Sequence, residues 1–167
     1  MKGTYPRTGL TSSTARHLLE YRPDTGILLW KVSRGKATVG TPAGRVRKDG
    51  YRTIRVNQAD YLSHRLAWLI YYGEWPKDMI DHIDGDPSNN RITNLRSVTY
   101  TTNQQNQRQP HKGSKTGFLG VHISRGKYRA AIRVDGKDIF LGRHNTPEEA
   151  HEAYVKAKRE LHPYSTL

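Results

Sequence analysis

The stretch MIDHIDGDPSNNRITNLRSV, residues 79–98, places two short β-prone segments on either side of a polar loop. The loop at DHIDGDPSNN, 81–90, is crowded with Asp, Gly, Pro, Ser and Asn, and Asp-Gly and Asn-Asn pairs are common in turns. The polar segment TYTTNQQNQRQ, 99–109, can form a helix that ends before the next proline. The pattern therefore predicts two short strands joined by a polar loop and followed by a helix.

The loop does not fit two common metal sites. A calcium loop needs oxygen ligands at alternating positions and a glutamate at the twelfth, but Ile83 and Gly85 occupy two of these positions and Ile92 the last. A zinc site would need a second histidine at ligand spacing from His82. Because the chain has no cysteine, it also has no thiolate zinc site and no disulfide. The stretch is either a surface turn or a site of another kind.

Hydrolysis of a phosphodiester is the chemistry that these residue types suit. The reaction needs a base that activates water and a divalent metal that offsets charge on the phosphate and the leaving oxygen. A neutral histidine suits the first task near pH 7. A carboxylate with an amide oxygen suits Mg²⁺, which prefers oxygen ligands. Asp81, His82 and a downstream asparagine can supply both.

The overall charge points to a polyanionic partner. Lys and Arg outnumber Asp and Glu by 28 to 15, a formal net charge of +13. The basic residues are spread among aromatic residues and glycines, which favours folded basic surfaces that neutralise phosphates over a disordered tail. We expect a nucleic acid as partner, no membrane-spanning or signal segment, and a cytoplasmic protein. No obligate protein partner and no oligomeric state can be read from the sequence.

Further elements are predicted before and after the central stretch. Helices are expected at 11–22, 61–75 and 146–161 and a strand at 27–32. GRVRKDGYRTIRV, 44–56, reads as a hairpin around a Lys-Asp-Gly turn. Its apolar face would carry Val46, Tyr51, Ile54 and Val56, and its DNA-binding face would carry Arg45, Arg47, Arg52 and Arg55.

The segment HRLAW…DHIDGDPSNNRITNLRSVTYTTNQQN resembles the homing-type HNH endonucleases of tailed phages and mobile introns. The resemblance covers about residues 60–108 and implies their ββα-metal core. It rests on the Asp-His pair, on the asparagine twelve residues after the histidine, and on another asparagine in the following helix. The last signature position is asparagine rather than histidine in this chain.

The resemblance also implies a role for each matching residue. His82 would be the general base, and Asn94 would fix the loop and orient His82. Asp81 and Asn103 would hold one divalent ion, Mg²⁺ with Mn²⁺ as an alternative; spacing alone does not separate Asn103 from Asn106. Strict strand alternation would point Asp81 and His82 to opposite faces, so the pair should sit at a strand end or bend.

The C-terminal segment GFLGVHISRGKYRAAIRVDGKDIFLGRHNTPEEAHEAYVKAKREL resembles the plant ethylene-response-factor (APETALA-type) DNA-binding domain. That resemblance implies three antiparallel strands packed on one helix, with the sheet reading the major groove. Alternation independently places Tyr128, Ala130, Ile132 and Val134 toward the helix, with Ile139 and Leu141. The open face and its rim would bind DNA through His122, Arg125, Lys127, Arg129, Arg133, Phe140 and Arg143.

These inferences together predict an α+β chain with an N-terminal β-hairpin region, a ββα-metal core and a C-terminal three-stranded antiparallel sheet packed on one helix. The predicted boundaries are 1–59, 60–108, a linker at 109–116, and 117–167. The predicted function is a metal-dependent HNH endonuclease that cuts DNA. Two alternatives stay open: a non-catalytic DNA-binding regulator and a basic RNA-binding accessory protein.

Overall fold

A computed structural model describes residues 9–33, 35 and 37–167. The chain divides into two compact units, Met1–Thr99 and Tyr100–Leu167, and each is described by itself. The described residues form a mixed α+β structure with small antiparallel sheets, as predicted. No helix in the described part of the chain is long and apolar enough to cross a membrane.

The described residues of the first unit form three small sheets and two α-helices. The sheets pair β1 with β2, β4 with both β3 and β5, and β6 with β7. The elements in chain order are α1 Ser12–Leu18, β1 Leu19–Arg22, β2 Ile27–Trp30, β3 Arg45–Val46, β4 Arg52–Val56, β5 Ala59–Leu62, α2 Ser63–Tyr72, β6 Met79–His82 and β7 Leu95–Val98, with a 3-10 turn at Ile92–Asn94.

Two predicted helices are shorter than expected because strand pairing takes part of each. Thr11 caps α1 by accepting from the Thr14 N–H at 3.1 Å, but the helix ends at Leu18. Leu19 then opens β1 opposite Trp30 and is 1% exposed. Likewise Tyr61 pairs with β4, so α2 begins only at Ser63. In both cases a short strand buries apolar residues that the sequence pattern had assigned to a helix.

One apolar core holds the first unit together. Helix α2 contributes Leu66, Ala67 and Leu69, each at most 1% exposed, and β4 contributes Ile54 and Val56, both 0% exposed. The helix ends at a left-handed glycine, Gly73, with φ 85°, as the sequence indicates. This core supports the sheets from which the polar loop 83–94 emerges.

The β3–β4 hairpin forms as predicted, but one of its apolar residues faces solvent. Gly50 has φ 84° in the Lys-Asp-Gly turn, and the Arg47 N–H donates to the Tyr51 carbonyl at 2.7 Å. Val46 was expected in the core and is instead 60% exposed. The reason is that β3 has two residues and lies at the edge of its sheet.

The second unit is a three-stranded antiparallel sheet, in the order β10-β9-β8, packed with helix α4. Ala130 and Ile132 are 0% and 2% exposed and face the helix, as alternation predicts. Thr146 caps α4 by accepting from the Glu149 N–H at 3.2 Å. The elements are α3 Tyr100–Gln105, β8 Val121–Ser124, β9 Lys127–Val134, β10 Lys137–His144 and α4 Pro147–Leu161.

A β-bulge at Leu141 interrupts the regular alternation of β10. Phe140 pairs with Ala131, but the next pair is Gly142 with Ala130. The extra residue lets Leu141 pack inward while Arg143, two residues on, pairs with Arg129 and is exposed. Ile139, which was predicted to be buried, is 38% exposed because β10 is an edge strand.

Candidate active site

Asp81 and His82 are both buried at the end of β6. They are 7% and 5% exposed, and His82 is the last residue of the strand. The Gly85 N–H donates to the His82 carbonyl at 2.9 Å, so the chain turns immediately after the histidine. The predicted position at a strand end is confirmed. Ile80, Asp81 and His82 are consecutive and all buried, so both faces of this short strand are covered and neighbouring side chains can both lie inside the unit.

The Asp81 carboxylate forms an ion pair with Arg96 on the neighbouring strand. The two residues are direct partners in the β6–β7 register. The Arg96 Nε and Nη2 atoms lie 2.8 and 2.7 Å from Asp81 Oδ2. A buried carboxylate without a partner is costly, so the ion pair with Arg96 compensates for the burial of Asp81. Sequence reasoning did not single out Arg96.

The His82 imidazole is held from the loop side by Asn90. Its Nε2 atom lies 3.1 Å from Asn90 Oδ1, and Asn90 is 4% exposed. Two further rings stand edge-on to the imidazole: His64 at 5.1 Å between centroids and Tyr51 at 5.9 Å. The histidine is thus set among aromatic rings with a polar contact from the loop.

Asn94 closes the loop 83–94 on itself. Its Nδ2 donates to Asp84 Oδ1 at 2.9 Å and to the Asn89 carbonyl at 2.8 Å, while its Oδ1 accepts from the Asp84 N–H at 3.0 Å. Its own carbonyl accepts from the Ile83 N–H at 2.9 Å. This side chain is therefore placed to fix the loop, the first part of the role that the resemblance implies.

Asp84 is the second residue whose hydrogen bonds organise the loop 83–94. Burial acts to raise the pKa of Asp84, but hydrogen bonds from the Asp86 N–H and from the Asn89 and Asn94 amides lower it overall. The Asn89 Nδ2 donates to Asp84 Oδ2 at 2.6 Å. A carboxylate with this many donors stays ionised and organises the backbone around it. These contacts within the loop are typical of a turn residue.

His64 lies inside the first unit beside the candidate base. It is 5% exposed, and burial, with the nearby His82 and Arg65, lowers the pKa of His64 to about 3. It is therefore neutral at ordinary pH. Burial, with the Asp49 and Asp81 carboxylates, raises the pKa of Tyr51, which keeps that phenol neutral as well. Neither ring adds charge next to His82.

The oxygen atoms of the candidate site suit a hard cation that takes few of its ligands from the protein. No group of three or more His, Cys, Asp or Glu side chains that could hold a metal lies within residues 9–33, 35 and 37–167. Mg²⁺, however, is commonly bound by one or two carboxylates together with water and phosphate oxygens. A carboxylate offers about four lone-pair sites. Asp81 can therefore accept Arg96 and still serve as a ligand.

The other predicted ligand, Asn103, lies in α3 of the second unit and is half-buried. Asn106, the competing candidate, lies just after α3 and is 6% exposed. Its Oδ1 accepts from the Thr166 hydroxyl at 2.8 Å. This hydrogen bond lies within the second unit, and both Asn103 and Asn106 remain candidate ligands.

The predicted arginine face of the N-terminal hairpin is present in part. Arg45 and Arg47 are exposed, and each forms an ion pair with an aspartate, at 3.7 and 2.8 Å. Arg55 is exposed on β4. Arg52 is half-buried and donates to the Gly44 carbonyl at 3.3 Å, so part of its guanidinium supports the hairpin.

The sheet of the second unit presents all of its predicted DNA-binding residues to solvent. The Arg129 guanidinium lies 5.6 Å from the centre of the Phe140 ring, which is 55% exposed. Arg133 donates to both carboxylate oxygens of Asp138 at 2.7 and 3.0 Å. The exposed set is His122, Arg125, Lys127, Arg129, Arg133, Phe140 and Arg143.

Comparison with known proteins identifies the central segment. Residues 61–108 match the HNH endonuclease family. Protein 3.8 of Escherichia phage T7 is 31% identical over 102 residues, which cover 59% of this chain and 83% of that protein. The "SPbeta prophage-derived putative HNH homing endonuclease YosQ" of Bacillus subtilis (strain 168) is 35% identical over 78 residues, which cover 46% of this chain and 44% of that protein.

No solved structure matches the chain significantly. The relatives are phage and prophage proteins, and the family match includes the Asp-His pair, the loop 83–94 and Asn103. The chain therefore belongs to the same family as phage T7 protein 3.8 and carries an HNH endonuclease domain over residues 61–108.

Proposed function

We propose that the chain is a metal-dependent endonuclease that hydrolyses phosphodiester bonds in double-stranded DNA. The observation that carries this proposal is the buried Asp81–His82 pair at the end of β6, next to a loop closed by Asn94, within the HNH segment. Burying a histidine and a carboxylate costs free energy, and a surface turn would not require it. The arrangement is suited to hydrolysis because it fixes a base close to a charged oxygen ligand.

His82 acts as the general base in this mechanism. Its imidazole takes a proton from a water molecule, whose oxygen attacks the phosphorus in line with the leaving group. A new bond forms between the water oxygen and phosphorus as the bond to the 3′ oxygen breaks. The 3′ oxygen leaves with that electron pair and is protonated from solvent. The products are a 5′-phosphate and a 3′-hydroxyl.

Asp81 and Asn103 are the residues that would hold the divalent ion. When bound, such an ion supplies positive charge that stabilises the phosphate and the departing 3′ oxygen. The oxygen donors favour Mg²⁺, with Mn²⁺ as a substitute. Arg96 holds the Asp81 carboxylate in place on its strand through their ion pair, and Asn94 keeps the following loop in one conformation.

The C-terminal sheet is proposed as the DNA-binding module of the enzyme. Its three strands, its single helix and its exposed cationic face agree with the resemblance to ethylene-response-factor domains. Arginine and lysine on an open sheet can contact phosphates, and arginine can also contact guanine edges in the major groove. The arginines of the β3–β4 hairpin would add phosphate contacts. We propose the organisation 1–59, 60–108, 109–116 and 117–167 for these roles.

A plasmid assay tests the proposed reaction. Supercoiled plasmid is incubated with the full chain in Mg²⁺, in Mn²⁺ or in EDTA, and the products are separated on an agarose gel. Nicked or linear DNA in the metal lanes and intact plasmid in EDTA are expected. Tight, salt-dependent binding with intact plasmid in every lane would instead support a DNA-binding regulator, which the exposed sheet face also suits.

A further inference from the structure

We propose that Asn90 is a positioning residue that holds the His82 imidazole with its hydrogen on Nε2 and its lone pair on Nδ1, and that the β1–β2 hairpin holds Asn90 in place. This inference rests on the proposed nuclease function, because it names the atom of His82 that takes the proton. It gives a role to Asn90 and to the β1–β2 hairpin, neither of which is part of the HNH signature.

The contact between Asn90 and His82 fixes the direction of the hydrogen bond. The Asn90 Nδ2 lies 3.3 Å from the Ser88 carbonyl, which only accepts, so the amide nitrogen must face that carbonyl and Oδ1 must face the ring. The amide oxygen also only accepts. His82 Nε2, 3.1 Å away, must therefore carry the hydrogen. In a neutral imidazole the other nitrogen, Nδ1, then has the lone pair.

The surroundings of Asn90 and His82 favour a single orientation of the His82 ring. Asn90 and His82 are 4% and 5% exposed, so little water can replace a lost contact. His64 stands edge-on to the His82 ring, with an interplanar angle of 84°. Tyr51 stands edge-on as well, with an angle of 62°. Rotation of the imidazole would have to displace these rings as well as break the bond to Asn90.

The β1–β2 hairpin binds the backbone on which Asn90 lies. The Tyr21 hydroxyl donates to the Asn90 carbonyl at 2.8 Å. The turn between β1 and β2 adds two bonds: the Arg91 Nε donates to the Asp24 carbonyl at 2.7 Å, and the Ile92 N–H donates to the Pro23 carbonyl at 3.2 Å. Three hydrogen bonds from one hairpin thus hold three consecutive residues of the loop.

Gly26 shows how closely the hairpin turn approaches that backbone. A Cβ atom at this position would lie 2.5 Å from the Asn90 carbonyl carbon and 2.5 Å from the Arg91 nitrogen. The glycine also has φ +75°, which residues with a side chain rarely adopt. A methyl group at residue 26 would therefore push the hairpin away from Asn90. The hairpin is packed to support the loop.

The tautomer of His82 tests the proposal directly. The full chain is labelled with ¹⁵N-histidine in Mg²⁺ buffer, at a pH above the ordinary pKa of histidine, and long-range ¹H–¹⁵N spectra report which ring nitrogen carries the hydrogen. His82 is identified among the eight histidines by the signal that disappears in His82→Gln. We expect the hydrogen on Nε2 in the wild type, and a mixture of tautomers in Asn90→Ala.

Activity and a conservative variant separate positioning from folding. Asn90→Ala should slow plasmid cleavage by roughly 10- to 100-fold, the usual effect of losing a partner that orients an active-site group. Asn90→Asp keeps an oxygen acceptor and should restore both the Nε2 hydrogen and most of the rate. Gly26→Ala, which leaves Asn90 intact, should reproduce the mixed tautomer of Asn90→Ala.

The outcomes distinguish this inference from the proposed function. A wild type that cleaves DNA with the hydrogen on His82 Nδ1 would overturn the inference and leave the nuclease standing. A wild type with the hydrogen on Nε2 but without cleavage would support the positioning by Asn90 and remove the nuclease. An Asn90→Ala protein with unchanged tautomer and rate would also overturn the inference.

Discussion

The loop that follows β6 and the open face of the C-terminal sheet are both rich in polar residues, but they use them in opposite ways. In the loop region Asp81, His82, Asn90 and Asn94 are at most 9% exposed, and each has a hydrogen-bonding partner. On the sheet, Arg129 and the other predicted DNA-binding residues are exposed. Chemistry needs groups that are fixed before the substrate arrives, whereas binding to a phosphate backbone tolerates mobile charges.

The largest expected effect follows from removing the proposed base, His82. His82→Ala should reduce the rate of plasmid cleavage by ~10²- to 10⁴-fold, because that is the typical contribution of general acid–base catalysis. DNA affinity, measured by gel shift in EDTA, should stay the same. His17→Ala is a matched control, since His17 is exposed on α1. Cleavage by His82→Ala at the wild-type rate would disprove the mechanism.

The next effect is on stability and comes from the loop. Asn94→Ala removes three side-chain hydrogen bonds to Asp84 and Asn89, both of which are half-buried. At about 1 kcal/mol for each bond, urea denaturation should show a loss of roughly 3 kcal/mol in the free energy of unfolding. Asn145→Ala, at an exposed position, should change it little. Equal stability of both variants would mean that Asn94 does not hold the loop together.

These two regions also differ in how far the sequence could predict them. Residue types singled out Asp81 and His82, the resemblance to HNH endonucleases added Asn94, and the structure places all three on one strand–loop segment. Asn90 could not be separated from Asn89, because both look like turn residues until the loop is folded. Arg96 needed the register of β6 and β7, which sets it opposite Asp81. Such partners depend on tertiary contacts that no local pattern contains.

On the sheet, alternation correctly predicted the buried side of β9, because that central strand faces the helix along its length. The bulge at Leu141 was not predicted. Strict alternation would have turned Arg143 toward the same side as Leu141, yet both the inward Leu141 and the outward Arg143 are observed. Val46, in the β3–β4–β5 sheet, and Ile139, in β10, were both predicted to be buried. Both are exposed, because each lies on the edge strand of its sheet.

A third prediction concerns stability in acid and compares a buried histidine, His64, with an exposed one, His17. The folded pKa of His64 is lowered to about 3, whereas the unfolded chain has the ordinary value near 6.5. Between these values the unfolded state binds the extra proton, so stability is complete above the unfolded pKa and falls as pH decreases toward about 3. The loss should approach about 1.4 kcal/mol per pH unit.

The slope is measured by urea denaturation between neutral pH and about pH 4. His64→Gln lacks this titration, so its free energy of unfolding should depend less steeply on pH, by up to one proton. The exposed His17→Gln should keep the wild-type slope. Equal slopes for wild type and His64→Gln would show that His64 is not buried as a neutral ring beside His82, Tyr51 and Arg65.

The smallest expected effect is on the sheet face, where charge is shared among many residues. Arg129→Ala should weaken binding to duplex DNA only a few-fold and, if Arg129 contacts a phosphate, lower the slope of log K against log salt by about 0.9. Lys156→Ala removes one charge from α4, on the other side of the sheet, and is the matched control. The cleavage rate at saturating DNA should be unchanged in both variants. If Lys156→Ala lowered the salt slope as much as Arg129→Ala, the helix side would share the contact, and the open sheet would not be the specific DNA-binding face.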